Sequence, residues 1–250
     1  MRLLKLCLAF LSLITPSFST ECTTKIDKFE GSCIKPSDCE GGVFNNLCPS
    51  IYKCCVPDVN SKPWLYWRYV SRDEFKGLFP SLSQTRSDLL FPWYNKALGE
   101  LLSDKKGNNE CHIIAAFSAQ VGHESVELTT FEEFASGEAY EGRCKSLGNC
   151  FPGDGTRYKG RGAIQITGRS NYLKASSFIG EDFIKTPELL VLPSYGIEAS
   201  IWFWVSNGLN KYCTGKSSDF TLLTQKINGG TNGLEDRINK WNRALNVLKC

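Results

Sequence analysis

Half of the chain's twelve cysteines, Cys22, Cys33, Cys39, Cys48, Cys54 and Cys55, crowd into one short stretch that contains few aliphatic residues. So small a unit cannot bury enough apolar surface to hold itself together on a core alone. It must be stapled by disulfides. Six cysteines can pair in many ways, and their order selects none of them.

The segment ahead of this module, Met1-Arg-Leu-Leu-Lys-Leu-Cys-Leu-Ala-Phe-Leu-Ser-Leu-Ile-Thr15, has a cationic start and an apolar run too brief to span a bilayer. Small residues around Ser17 and Ser19 then fit a cleavage point, so residues 1–20 read as a secretory signal peptide. Secretion into an oxidising compartment agrees with the abundance of cysteine. Removal of Cys7 would leave an odd number of thiols. Removal of Arg2 and Lys5 would take the formal charge from +3 to +1, which offers no electrostatic case for nucleic acid. His112 and His123 lie far from the cysteine cluster with no finger-like spacing, so neither a metal nor any other cofactor is expected. No Asn-x-Ser/Thr sequon is present and nothing after the leader reads as transmembrane.

The cysteine-rich module at 21–56, resembling clip-type modules of secreted hydrolases in its spacing, gives way to a linker at 57–63 that contains two prolines. One domain at 64–250 follows. Helical spacing of apolar residues predicts helices over Ser71–Phe79, Tyr94–Leu102, Glu110–Glu124, Ser170–Ile179, Ser194–Ser206, Asp219–Ile227 and Leu234–Val247. Strand candidates are few and short, chiefly Ala163–Thr167, so the domain is expected to be mainly α. Trp202 and Trp204 lie in a continuous apolar helix and are assigned to the core.

Ile113, Phe117, Val121 and Glu124 recur along one helix face, which sets Glu124 at the end of an apolar stripe. Desolvation there would keep a carboxyl protonated and suit it to act as a general acid. A helix-end glutamate that points to water is the competing reading. Glu133 follows in a loop-like stretch solvated enough to stay ionised. Its neighbours Glu132, Glu138 and Glu141 read more simply as solvent-facing charges, although periodicity does not choose among the four. Two carboxylates of unlike environment are what acetal hydrolysis between sugars requires.

His123-Glu124-Ser125, Glu133, Gly160-Arg-Gly-Ala-Ile-Gln-Ile-Thr167, Ser200-Ile-Trp-Phe-Trp204 and Ile227-Asn-Gly-Gly-Thr-Asn-Gly233 with Arg237, taken in order, resemble the family 19 glycoside hydrolases. That family comprises chitinases and related phage and bacterial endolysins. The segment from Ala135 to Arg143, with Leu147-Gly-Asn149 and Gly153-Asp-Gly155, is closer to the bacterial and phage branch. The resemblance implies a bilobal, lysozyme-like helical fold and an inverting mechanism. Glu124 would be the acid and Glu133 the base, with carboxyls roughly 6.5–9.5 Å apart to admit a water.

Carried over position by position, Thr167 would hold that water, and Gln165 and Asn171 would contact sugar amide and hydroxyl groups. Asn228 and Arg237 would line the cleft and support the base. Tyr158 is the candidate to meet sugar faces, and His123 is read as structural. By the same resemblance Cys144 would pair with Cys150 and Cys213 with Cys250, which leaves Cys111 as the odd thiol. One departure stands out, because Val126-Glu127 occupies the place of a family Gly-Gly. Valine avoids backbone angles that glycine adopts, and Glu127 sets a third carboxylate near the pair.

The expected activity is endo-hydrolysis of β-1,4-linked N-acetylglucosamine polymers, with chitin as substrate, by a secreted monomer that needs no membrane or nucleic-acid partner. Peptidoglycan hydrolysis and binding of polymer without cleavage are the alternatives.

Overall fold

The structure, a computed structural model, describes the backbone of residues 21–23, 30–34, 42–44 and 53–56, and residues 69–103 and 108–250 in full. The expected signal peptide at 1–20, the expected linker at 57–63 and the sulfur pairing of the first module lie outside the described residues. The chain divides into two compact units, Met1–Asp58 and Val59–Cys250. Four short strands, β1 (Glu21–Thr23), β2 (Glu30–Ile34), β3 (Gly42–Phe44) and β4 (Lys53–Val56), form an antiparallel sheet of order β1-β2-β4-β3 in the first.

The second unit is helical. Its helices are α1 (Arg72–Leu78), α2 (Gln84–Leu101), α3 (Glu110–Glu124), α4 (Cys144–Leu147), α5 (Asp154–Arg157), α6 (Arg169–Ile179), α7 (Pro193–Ser206), α8 (Ser217–Asn228) and α9 (Leu234–Leu248). Ser71 starts α1 with a capping box, its hydroxyl accepting from Glu74 N while the Glu74 carboxylate accepts from Ser71 N. Helix α2 begins ten residues before the expected Tyr94 and runs through Pro92. A proline inside a helix loses a hydrogen bond and costs about 3 kcal/mol. Burial of Leu90, Phe91, Trp93 and Tyr94 around it offsets that cost.

Helix α3 is the axis of the domain, with every residue from Ile113 to Gly122 buried, and it packs chiefly against α9. A chain of ring contacts, two tilted and the last edge-to-face, links Phe75, Tyr94, Phe117 and Trp204 across α1, α2, α3 and α7, with centroids 5.1 to 6.1 Å apart. Trp204 also donates to Asn210 Oδ1 at 2.8 Å, so its indole nitrogen is satisfied in the core. Helix α3 is therefore held rigidly from several sides, and its last residue is Glu124.

Two expectations are corrected. Ala163–Thr167 is not a strand: Gly162 and Gln165 have φ of 81° and 58°, and Gln165 N bonds Gly162 O in a tight turn. Its apolar alternation arises because Ala163 and Ile164 are tied down to Gly196 O and Ser200 Oγ at the start and middle of α7. The second correction concerns sulfur. Cys144 bridges Cys150, but Cys250 pairs with Cys111 rather than with Cys213, which is a free, buried thiol. The Cys111–Cys250 bridge fastens the start of α3 to the end of α9. Burial pushes the Cys213 thiol well above its ordinary range.

Candidate active site

Helix α3 ends in a turn of unusual backbone. Val126, Glu127 and Leu128 have φ of 50°, 56° and 61°, three successive left-handed residues of which none is glycine. Each such residue costs about 1–2 kcal/mol, and a β-branched one is rarely found there. The turn is nevertheless closed by Glu127 N donating to Gly122 O at 2.6 Å and by Ser125, whose hydroxyl donates to Val121 O and accepts from Leu128 N. Glu127 turns away from the carboxylate pair to accept from Arg243 at 2.5 Å and Ser81 N at 2.9 Å. Burial alone would push its carboxyl up, but Ser81 and Arg243 outweigh that and hold it below the usual range. The third carboxylate is therefore an anchor for the turn. Leu128 is buried and its carbonyl accepts from Arg86. The turn after Glu124 is kept without glycine because it is tied to the loop between α1 and α2, to α2 and to α9.

Glu124 keeps 19% of its side chain exposed and accepts through Oε1 from Arg237 Nη2 at 2.5 Å. Arg237, on α9, is itself 2% exposed, and its other nitrogen donates to Gln120 Oε1. Gln120 lies one turn before Glu124 on the same helix face, and its amide donates to Thr224 on α8. Glu124 is thus oriented by a buried relay, Thr224 to Gln120 to Arg237 to Glu124. Arg237 was expected to support the base; the structure sets it on Glu124. His123 faces elsewhere, meeting Asp236 at 2.6 Å beside Gly233, whose φ of 68° and close approach to the imidazole leave no space for a side chain.

Glu133 is held differently. Oε1 accepts from the Tyr140 hydroxyl at 2.8 Å and Oε2 from Gly160 N at 2.9 Å, while Glu133 N returns a bond to Gly160 O. Burial first, then the adjacent Glu133 carboxylate, pushes the Tyr140 phenol up to about 12, so it stays a donor at any working pH. Gly160 is needed for close approach: a Cβ there would stand 2.7 Å from Gln165 Oε1 and 3.1 Å from Glu133 Oε2. The tight turn at 162–165 brings Gln165 and Thr167 back onto the same cleft. Thr167 donates its hydroxyl proton to Gln165 O at 2.9 Å, which leaves oxygen lone pairs to accept from a water. Glu124, Glu133, Tyr140, Gln165 and Thr167 line one cleft of about 280 Å³.

A family model described as chitinase class I matches residues 101–217, a span that takes in Glu124, Glu133 and Thr167. An endochitinase of Arabidopsis thaliana is 35% identical over 136 residues, 54% of this chain and 45% of that one. A glycosyl hydrolase family 19 domain-containing protein of Haemophilus influenzae is 27% identical over 199 residues, 66% of this chain and 96% of that one. The fold is similar to that of chitinase C from Streptomyces griseus, with a TM-score of 0.58 and 24% identity over 72% of this chain and 92% of that one. In sequence over residues 101–217 and in fold, the domain is similar to the chitinases of glycoside hydrolase family 19. The chain spans 45% of the Arabidopsis relative and 63% of an acidic endochitinase of Solanum lycopersicum.

Other residues of the domain fall into supporting places. Asn171 donates to Thr167 O at 2.9 Å and holds the Thr167 loop from behind. Asn228 closes the turn after α8 by bonding Asn232 O and Gly230 N, and Asn232 O accepts from Arg237. Tyr158 is corrected: at 1% exposure it packs edge-on to Tyr172 and under the Arg169 guanidinium, so it cannot meet a sugar. Two rivals of Glu133 are also not merely solvent-facing. Glu132 pairs with Arg161 at 3.1 Å, and Glu141 accepts from Gly153 N and Gly155 N. Tyr140, Gln120 and Gly160's amide were missed as functional groups. Only Gln120, a polar residue inside the apolar stripe and four before Glu124, left a signal that sequence could have supplied.

Among the described residues no three of His, Cys, Asp and Glu come together as a metal site, and no helix is long and apolar enough to cross a membrane.

Proposed function

We propose that the chain is a secreted, endo-acting glycoside hydrolase that cleaves β-1,4-linked N-acetylglucosamine polymers, chitin foremost, with inversion. The observation that carries this reading is the pair of carboxylates on one cleft, each fixed by a different kind of partner. Glu124 gives its proton to the glycosidic oxygen as the bond from the anomeric carbon breaks, and Arg237 stabilises the carboxylate left behind. Glu133 takes a proton from the attacking water. Tyr140 and Gly160 N fix both oxygens of Glu133 so that the base is preorganised. Thr167 orients the water through its free lone pairs. The names of the endochitinases that match at 30–35% identity and the spacing of the motifs support this substrate class.

Incubation of the purified protein with soluble chitin oligomers and, separately, with bacterial cell walls tests the reading by new reducing ends. Release from the oligomers is expected. Release from cell walls alone would replace chitin by peptidoglycan, and binding without release from either would make the protein a lectin.

A further inference from the structure

Phe134 follows the proposed base directly, lines the same cleft as Glu124 and Thr167, and is 87% exposed. An aromatic ring left in water forgoes the burial that most phenylalanines gain on folding. Its backbone is fixed on the preceding side, where Glu133 N bonds Gly160 O and Lys159 Nζ donates to Glu133 O. The backbone that carries the ring is therefore held at the cleft. Val126, 54% exposed on the strained turn after Glu124, is the other exposed apolar side chain of the cleft. The remaining lining is polar, apart from Gly160.

A β-1,4-linked amino sugar in its chair form places its substituents equatorially and turns axial C–H groups to its two faces. Those faces are apolar, while the rim is polar. A polar cleft with one exposed aromatic plane matches that division, as it would not match a uniformly charged or uniformly apolar ligand.

We propose that Phe134 is the sugar-stacking platform of this cleft, taking the apolar face of an N-acetylhexosamine ring next to the scissile bond, with Val126 as a second apolar contact. The proposal rests on the function given above. The hydrophobic surface then remains open because it is covered by substrate. Phe134 stands in no hydrogen-bond relay to Glu124 or Glu133, so its contribution is to binding.

The test uses the full chain carrying Glu124→Gln and titrates a hexamer of β-1,4-linked N-acetylglucosamine by calorimetry, with wild-type hydrolysis of the same oligomer followed in parallel. Adding Phe134→Ala should weaken the Kd by about 3–10-fold, in the range of one aromatic stacking contact. Phe134→Trp should restore it, which a merely structural role would not predict. Unchanged thermal unfolding of Phe134→Ala, expected from its exposure, separates lost binding from lost folding; should that variant unfold, Phe134→Leu, which keeps bulk without a ring plane, replaces it. Hydrolysis by wild type with an unaltered Kd in the phenylalanine variants overturns this inference and leaves the function standing. Binding weakened as expected but no hydrolysis by wild type keeps the platform and overturns the cleavage. Absence of both binding and hydrolysis overturns both.

Discussion

Arg237, almost completely buried on α9, donates to Glu124 Oε1 at the end of α3 at 2.5 Å, and the same guanidinium holds Gln120. A fork of fixed nitrogens thus sets the orientation of Glu124, which a lysine's single ammonium could not do. Removing one partner of a buried pair leaves the other uncompensated and costs about 3–5 kcal/mol. Arg237→Ala is expected to lower the melting temperature markedly and to abolish most oligomer hydrolysis. Arg237→Lys should recover stability more than activity, as thermal unfolding and reducing-end assays on the same preparations would show. Equal recovery of both would mean that the fork's geometry does not matter.

The Tyr140 hydroxyl offers a gentler test of the base. Tyr140→Phe deletes one of the two donors to the Glu133 carboxylate and leaves Gly160 N in place. A hydrogen bond to a charged group is worth about 1.5–3 kcal/mol. Turnover of a soluble oligomer should therefore fall by about tenfold or more while the protein stays folded. Because the phenol is held up to about 12, the effect should persist across the alkaline side of the profile.

What was legible in the sequence was what local pattern controls. The buried stripe of α3 and the glutamate at its end follow from the apolar spacing of Ile113, Phe117 and Val121. Trp202 and Trp204 reach the core as their surroundings imply. Contacts between distant segments were not legible. Cys111 and Cys250 are separated by 139 positions, and nothing local distinguishes Cys250's partner from Cys213. Tyr140 reaches Glu133 only because the short helical turn at Glu138–Tyr140 folds back. The segment at 163–167 misled because alternation of apolar residues is satisfied as well by a tight turn anchored on α7 as by a strand. Tyr158, flanked by polar and glycine residues, gave no sign that Tyr172 and Arg169 would enclose it.

The turn at 126–128 makes a contrast between neighbours. Val126→Gly relieves a left-handed β-branched residue whose side chain is largely exposed, so stability should rise by about 1 kcal/mol. Glu127→Gln should instead destabilise at neutral pH, since Arg243 and Ser81 N lose a charged partner. Glu127's folded-state pKa is depressed, so its contribution is present above the unfolded value and is lost as pH falls through the folded one. The gap in melting temperature between wild type and Glu127→Gln should hold from neutral pH down to about 5 and close below the ordinary carboxylate range of about 4. A gap independent of pH would sink the ion-pair account.

Sulfur chemistry separates the two pairings. Mass mapping without reduction should join Cys111 to Cys250 and Cys144 to Cys150. Cys213 is buried with its thiol pushed up, so alkylation there should require unfolding. Cys111→Ser opens a loop of more than a hundred residues, and closure of such a loop is worth about 4–5 kcal/mol in the chain-entropy account. Its melting temperature should drop well below that of Cys213→Ser. A peptide joining Cys213 to Cys250 would refute the observed pairing.

The two carboxylates are separated most sharply by chemistry that asks each for something different. Glu124→Gln keeps a hydrogen-bond acceptor for Arg237 but has no proton acidic enough for the leaving oxygen, so turnover of natural polymer should fall by about 10²–10⁴-fold while oligomer binding persists. Glu133→Ala removes the group that Tyr140 and Gly160 N hold, and with it the activation of water, so its loss should be of similar size. Azide needs no general base and could enter the emptied position, and partial rescue of Glu133→Ala but not of Glu124→Gln is the expected pattern. The stereochemistry of the product settles how Glu133 acts. Attack by water from the face opposite the leaving group inverts the anomeric centre, so NMR taken before mutarotation should show the α-anomer first from a β-linked oligomer. A β-anomer appearing first would require two successive displacements at the anomeric carbon, and the base role assigned to Glu133 in a single displacement would then have to be given up.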